Sequence, residues 1–114
     1  MKLSSELIQK SHNLALKIIK IYKHLNQKYN CVLSKRLLRS GTSLGENIVA
    51  TQYCVSKKNF RIRISTALKE AEKTKYWLEV LMESGFLTKE EIADVEKTVD
   101  EIIEELQNTI NSYE

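Results

Sequence analysis

Residues 39–53 read RSGTSLGENIVATQY, and the related stretch 65–78 reads STALKEAEKTKYWL. In the first, five small residues (Ser40, Gly41, Thr42, Ser43, Gly45) lie among apolar residues at helical spacing. Gly41 and Gly45 are one turn apart, so a helix here carries a stripe of nearly bare backbone. Each interior glycine costs a helix about 1 kcal/mol relative to alanine. That cost is tolerated where another backbone must come close, and Ala67 and Ala71, also one turn apart, are the natural partners. The expectation is a helix-packing seam of Gly41, Gly45, Ala67 and Ala71 within a tight, all-helical bundle.

The composition agrees. The 114 residues include no proline and only three glycines. Nothing therefore interrupts long helices, and the β-branched residues recur at helical spacing rather than alternating. One domain over residues 1–114 is large enough to bury a core without staples. No apolar run approaches the roughly 18 residues of a membrane span, and no signal-peptide pattern opens the chain. A soluble, cytoplasmic protein with no membrane partner is expected. Cys31 and Cys54 flank the seam helix, so if that stretch is helical they lie roughly 30 Å apart. A disulfide reaches only about 7 Å between Cα atoms, so the two cannot pair within one subunit.

Four helices follow from periodicity and caps. The first is expected over residues 4–29, with Ser4 as cap and Leu3 and Ile8 as hydrophobic staple. Leu7, Leu14, Ile18, Ile21 and Leu25 form one stripe, and Ile8, Ala15, Ile19, Tyr22 and Tyr29 a second beside it. Two stripes point either to a second surface to be covered by sister chains or to one broad core face. After a break at residues 30–33, the second helix is expected from a Ser34 cap with a Leu33–Leu38 staple. Its buried line is Leu37, Gly41, Leu44, Ile48 and Val55, with Thr51 in the remaining slot. A rival reading breaks this helix at Ser40–Ser43, because Ser43 and Glu46 have capping-box spacing. The third is capped by Ser56, stapled by Val55 and Phe60, and ended by Gly85. It carries the line Phe60, Ile64, Ala67, Ala71, Thr74, Leu78 and Leu81. The fourth opens on a Thr88–Glu91 capping box with a Leu87–Ile92 staple. Ile92, Val95, Val99, Ile102, Leu106, Ile110 and Tyr113 continue its rhythm. Short loops between long helices force alternating directions, giving an all-α, antiparallel up-down-up-down four-helix bundle.

Catalytic chemistry finds little support in the residues. His12 and His24 are both on the first helix and lack Glu-x-x-His or His-x-x-x-His partners. No phosphate-cradling glycine loop or HExxH occurs. No catalytic residue, cofactor or metal site is expected. Asn47 and Glu72 are candidates for a polar network or interface, Glu72 through Lys69, Lys73 or Arg61, whereas Glu70 is read as part of a solvated face. Trp77 is read as a packing anchor.

Charge is unevenly spread around a net +3. Residues 1–40 hold nine Lys/Arg against one Glu, and residues 76–114 hold two against eleven acids. Lys10, Lys17, Lys20 and Lys23 are placed to pair with the acidic fourth helix. Lys35, Arg36 and Arg39 at one helix start, and Lys57, Lys58 and Arg61 at the next, are candidate phosphate-binding residues. They lie at opposite ends of the molecule and carry no interleaved aromatic residues in sequence.

The stretch RSGTSLGENIVATQ followed by SKKNFRIRISTALKEAEKTKYWLEVL resembles the 23S rRNA-intervening-sequence protein family. Arg39, Ser40, Thr42, Ser43, Asn47, Ile48, Ser56, Lys57, Phe60, Ala67, Glu70, Tyr76, Trp77 and Leu78 carry the likeness. Two positions depart from it: Ala50 stands where the family has glutamate, and Glu46 where it has alanine. The resemblance implies an antiparallel four-helix bundle forming a homopentamer around a central channel. It also implies a gene set within ribosomal RNA gene insertions and no established catalytic activity. The leading expectation is thus a non-enzymatic homo-oligomeric scaffold contacting RNA or DNA through the two basic helix starts. The alternative is a protein–protein adaptor presenting Glu101, Glu104 and Glu105 of its acidic helix to a basic protein partner.

Overall fold

A computed structural model describes residues 2–29 and 31–112. Its elements are α1 (Ser5–Lys28), α2 (Ser34–Ala50), a 3-10 turn (Thr51–Tyr53), α3 (Lys57–Glu83) and α4 (Lys89–Ser112). Helices of 24, 17, 27 and 24 residues side by side give a rod of 45 × 20 × 19 Å. Each packs on its chain neighbours, and α1 closes the bundle against α4. The two diagonal pairs bring no Cα atoms within 8 Å of each other among the described residues. The architecture is the expected all-α antiparallel four-helix bundle.

The core is the set of stripes read from the sequence. Leu14, Ile18, Leu25, Leu37, Leu44, Ile48, Phe60, Ala67, Ala71, Leu78, Ile92, Val99, Ile102 and Leu106 are wholly buried. Burying a Leu, Ile or Phe side chain contributes about 1.5–3 kcal/mol, so these stripes drive the assembly of helices that are marginal alone. Of the second α1 stripe, Ile8 and Tyr29 pack against this core as a broad face. Tyr113, expected to extend the α4 line, lies outside the described residues, as does Asn30.

Caps do much of the delimiting. Ser4 Oγ accepts from the Leu7 amide at 3.1 Å, and Ser56 Oγ from the Asn59 amide at 3.1 Å. Thr88 and Glu91 form the reciprocal box: the Thr88 amide donates to Glu91 Oε1 (2.9 Å) and the Glu91 amide to Thr88 Oγ1 (3.1 Å). α3 ends in a Schellman motif. The Phe86 amide donates to the Leu81 carbonyl and the Gly85 amide to the Met82 carbonyl, with Gly85 at φ +86°. A left-handed residue there closes the last carbonyls, and glycine adopts it without a Cβ penalty.

Three expectations are corrected. Ser34 does not cap α2; it is its first residue, and Leu33 before it already has helical angles. The Ser34 hydroxyl is buried and turns back to the Cys31 carbonyl (2.7 Å) and Asn26 Oδ1 (3.0 Å). The first amides of α2 are satisfied instead by i→i−3 bonds to Cys31, Val32 and Leu33. Val55 belongs neither to the α2 buried line nor to a staple, being 91% exposed. A helix would keep Val55 in phase with Ile48, but the tighter 3-10 turn and extended Cys54 rotate it to the surface. Thr51 is buried in its slot and donates to the Ile48 carbonyl at 2.6 Å.

The third correction concerns the glycines. α2 is continuous through Gly41 and Gly45, so the rival break at Ser40–Ser43 does not occur. The stripe, however, faces α1 rather than Ala67 and Ala71. A Cβ on Gly41 would stand 3.0 Å from both γ-carbons of Ile18, and one on Gly45 would be 3.9 Å from the Ser11 carbonyl. The close approach therefore concerns Gly41 and a branched side chain of α1, while Gly45 is half-exposed. Ala67 and Ala71 fill core positions on α3.

Candidate functional site

The α2–α3 contact is joined by polar bridges as well as apolar ones. Asn47, 7% exposed, accepts from Arg63 Nη1 at 3.1 Å and donates to the Ser43 carbonyl at 2.9 Å. One layer along, Thr74 Oγ1 stands 3.0 Å from Ser40 Oγ and 2.8 Å from the Glu70 carbonyl, either of which accepts its proton. Ser40 donates to the Leu37 carbonyl. Every buried polar side-chain atom among the described residues has such a partner. These bridges set the register of α3 on α2, because a slip would leave buried donors unmet.

That register opens a cleft of about 430 Å³ lined by Arg36, Arg39, Ser40 and Ser43 of α2 and Glu70, Lys73, Tyr76 and Trp77 of α3. Arg36 lies over the Trp77 ring, 5.8 Å from its centroid. Tyr76 and Trp77 meet edge to face at 5.1 Å and 78°. Lys73 Nζ pairs with Glu70 Oε1 at 3.2 Å, with 14% of the Glu70 side chain exposed. The polar roles on α3 are thus the reverse of expectation: Glu70 is the inward, paired carboxylate, and Glu72 is exposed. The helical phase explains it, since Glu70 shares a face with Lys73 and Trp77 whereas Glu72 is turned some 200° away. Trp77 anchors the cleft wall, half-buried against the core.

Of the six basic candidates, Arg36 and Arg39 enter this cleft, with Lys35 exposed beside them. Lys57, Lys58 and Arg61 are exposed on the first turns of α3, at the other end of the bundle. The structure does not unite the two clusters. None of the six forms an ion pair among the described residues. What the sequence missed is the aromatic component, because Tyr76 and Trp77 come from a different helix. The signal was present as two stripes, 36/39/40/43 and 70/73/76/77, whose meeting only the bundle register decides.

The cations of α1 are employed otherwise. Lys10 bridges Glu101 (3.4 Å) and Glu105 (3.1 Å), and Lys17 bonds Asp94. Lys20 and Lys23, expected to join them, are exposed. His24 Nε2 stands 3.3 Å from Glu91, and Lys75 of α3 bonds Asp100 at 2.7 Å. The Glu105 hydrogen bond raises the Lys10 pKa, and that of Asp100 raises Lys75. Glu91 is held below the usual carboxylate range, first by the Thr88 amide bond. Much of the α4 acid is therefore neutralised within the bundle.

A second surface feature lies at the α2–α3 corner. Val49, Tyr53, Val55 and Ile62 are 40, 79, 91 and 53% exposed. Two depressions there share Ala50 and Tyr53, one floored by Gly45 and flanked by Ala15, the other reaching Val55 and Ile62. No helix among the described residues is long and apolar enough to cross a membrane.

A four-helix bundle whose α2–α3 cleft is lined by Arg39, Ser40 and Ser43 from one helix and by Tyr76 and Trp77 from the next defines a class of small helical-bundle proteins. The chain belongs to the 23S rRNA-intervening sequence protein family, whose model matches residues 4–108. It is also similar to a crystal structure of a protein of unknown function from the S23 ribosomal protein family of Bacteroides thetaiotaomicron. The TM-score is 0.87 at 37% identity, over 91% of this chain and 97% of that one. A comparison with curated proteins returned no match.

Proposed function

We propose that the protein is a non-enzymatic homo-oligomeric scaffold, a pentamer, that contacts RNA or DNA through Lys35, Arg36, Arg39, Lys57, Lys58 and Arg61. The observation that carries this reading is the surface of the α2–α3 hairpin. It holds both the exposed apolar strip (Val49, Tyr53, Val55, Ile62) and six cations without carboxylate partners among the described residues. A contiguous apolar patch on a small protein marks an interaction surface, and in a cyclic pentamer such a patch is covered head to tail by a different face of the next chain. Unpaired Lys and Arg at helix starts suit phosphates, whose binding releases counterions. The number five comes from the family resemblance, and the site of self-contact from the apolar strip.

Light scattering coupled to gel filtration tests the scaffold. A pentamer mass is expected at micromolar concentration, and a clean monomer removes the reading. Gel mobility of ribosomal RNA at low salt tests the nucleic-acid part. A shift that collapses as salt rises is expected, and unchanged mobility ends it.

A further inference from the structure

We infer that the α2–α3 cleft binds single-stranded nucleic acid, stacking a base on Tyr76 and holding the adjoining phosphate with Arg36 and Arg39. This rests on the nucleic-acid part of the proposal above and adds the strand type and the site. Tyr76 keeps 58% of its surface exposed although it is the residue next to a tryptophan that packs on the core. The edge-to-face contact with Trp77 fixes the ring's orientation, which turns an exposed aromatic into a platform. Stacking platforms beside cations are the means by which single strands are bound without sequence preference, since every base has a π-face.

The charges fit the same ligand. Lys73 is committed to Glu70 at 3.2 Å, which leaves Arg36 and Arg39, one turn apart on α2, to meet a phosphate on the same side. Arg36 is positioned over the Trp77 ring, where a planar guanidinium keeps its donors free for an oxygen anion. A half-buried carboxylate in the cleft disfavours a bare anion but suits a base amino group next to a phosphate. The volume of about 430 Å³ lies in the range of about 300–1,000 Å³ typical of small-ligand sites. One nucleotide unit enters such a space, whereas a duplex, with its bases stacked inside, offers no face to Tyr76.

Trp77 is the only tryptophan, so its emission reports on this cleft. The full-length protein is titrated at low salt with fluorescein-labelled oligo(U) and oligo(dT) of about twelve nucleotides, within the usual site sizes. The matching duplex and uridine monophosphate serve as further arms, with anisotropy read in parallel. Single strands are expected to quench Trp77 and to bind about tenfold more tightly than the duplex, with Tyr76→Ala weakening them about tenfold. Arg39→Gln is expected to lower the salt slope by about one, while Lys20→Gln with Lys23→Gln, exposed on α1 and outside the cleft, leaves the quench unchanged. Either sugar supports the inference. Rising anisotropy with constant Trp77 emission and a neutral Tyr76→Ala overturns the cleft while sparing nucleic-acid binding elsewhere. Saturation by uridine monophosphate at the same concentration as the strand overturns it in favour of a free-nucleotide site. No change in any arm removes both readings.

Discussion

Gly41 and Gly45 look equivalent in sequence and differ in what surrounds them. A methyl group at Gly41 meets both γ-carbons of Ile18 at 3.0 Å, and Ile18 is β-branched and wholly buried. Overpacking of this kind costs about 1–3 kcal/mol, set against about 1 kcal/mol gained in helix propensity. Gly41→Ala is therefore expected to lower stability by about 1 kcal/mol. Gly45→Ala meets its nearest atom at an ordinary 3.9 Å and should raise stability by about 0.5–1 kcal/mol through propensity alone. Urea midpoints of the two variants check both signs. If both shift the same way, the α1–α2 approach has been misread. Gly85→Ala, at φ +86°, should cost about 1–2 kcal/mol from the left-handed backbone, whatever the space.

Among the elements, α4 begins on a device legible in sequence, the Thr88–Glu91 box. Glu91 has a lowered pKa because the Thr88 amide, the Thr88 hydroxyl, His24 and Lys28 all favour its charged form. A carboxylate depressed in the folded state contributes stability that is fully present above its unfolded pKa. That contribution is lost as pH falls through the folded value. Wild-type stability should thus decline on acidification from about pH 5 to pH 3, where a carboxylate of this kind titrates. Glu91→Gln, which can still cap the Thr88 amide, should show a shallower decline in thermal melts over that window. Equal slopes would assign the loss to other carboxylates. α2 and α3 are tied by Asn47 and Arg63, and Asn47→Ala should cost about 1 kcal/mol, the net worth of a partly exposed hydrogen bond. The unfolding transition should remain a single cooperative step, checked by coincident circular dichroism and Trp77 fluorescence curves.

For the molecule as a whole, the decisive contrast lies between two kinds of charge. α1 and α4 neutralise each other through Lys10 and Lys17, in exposed pairs worth about 0–1 kcal/mol each. Their contribution is chiefly to leave the α2–α3 hairpin as the cationic side of the rod. That same hairpin carries the exposed apolar strip. Val55→Asp with Ile62→Asp should convert the oligomer to a monomer with unchanged helicity, because neither side chain supports the core. Sedimentation velocity checks this. An oligomer that survives both charges places the self-contact elsewhere.

Helix count, direction and buried lines could be read from one chain because they depend on local rules: a period near 3.6 residues, caps within one turn, and proline's absence. Gly85, the Thr88–Glu91 box and the α3 line each needed no more than neighbouring residues. The misread places required knowledge beyond one turn. Val55 was displaced by a 3-10 turn that shifts helical phase, and the glycine stripe turned towards α1 because packing, not spacing, selects the neighbour. The candidate site was half legible. Arg36 and Arg39 stood out as charges, but Tyr76 and Trp77 lie about 40 residues further on, and only the register of two packed helices brings them beside those arginines. The sequence by itself determined the helices and the faces they bury, since periodic apolar residues must leave water. Which faces meet was decided by tertiary structure, through the bulk of Ile18 and the Asn47–Arg63 and Ser40–Thr74 bridges, and the cleft exists only as a consequence of that meeting.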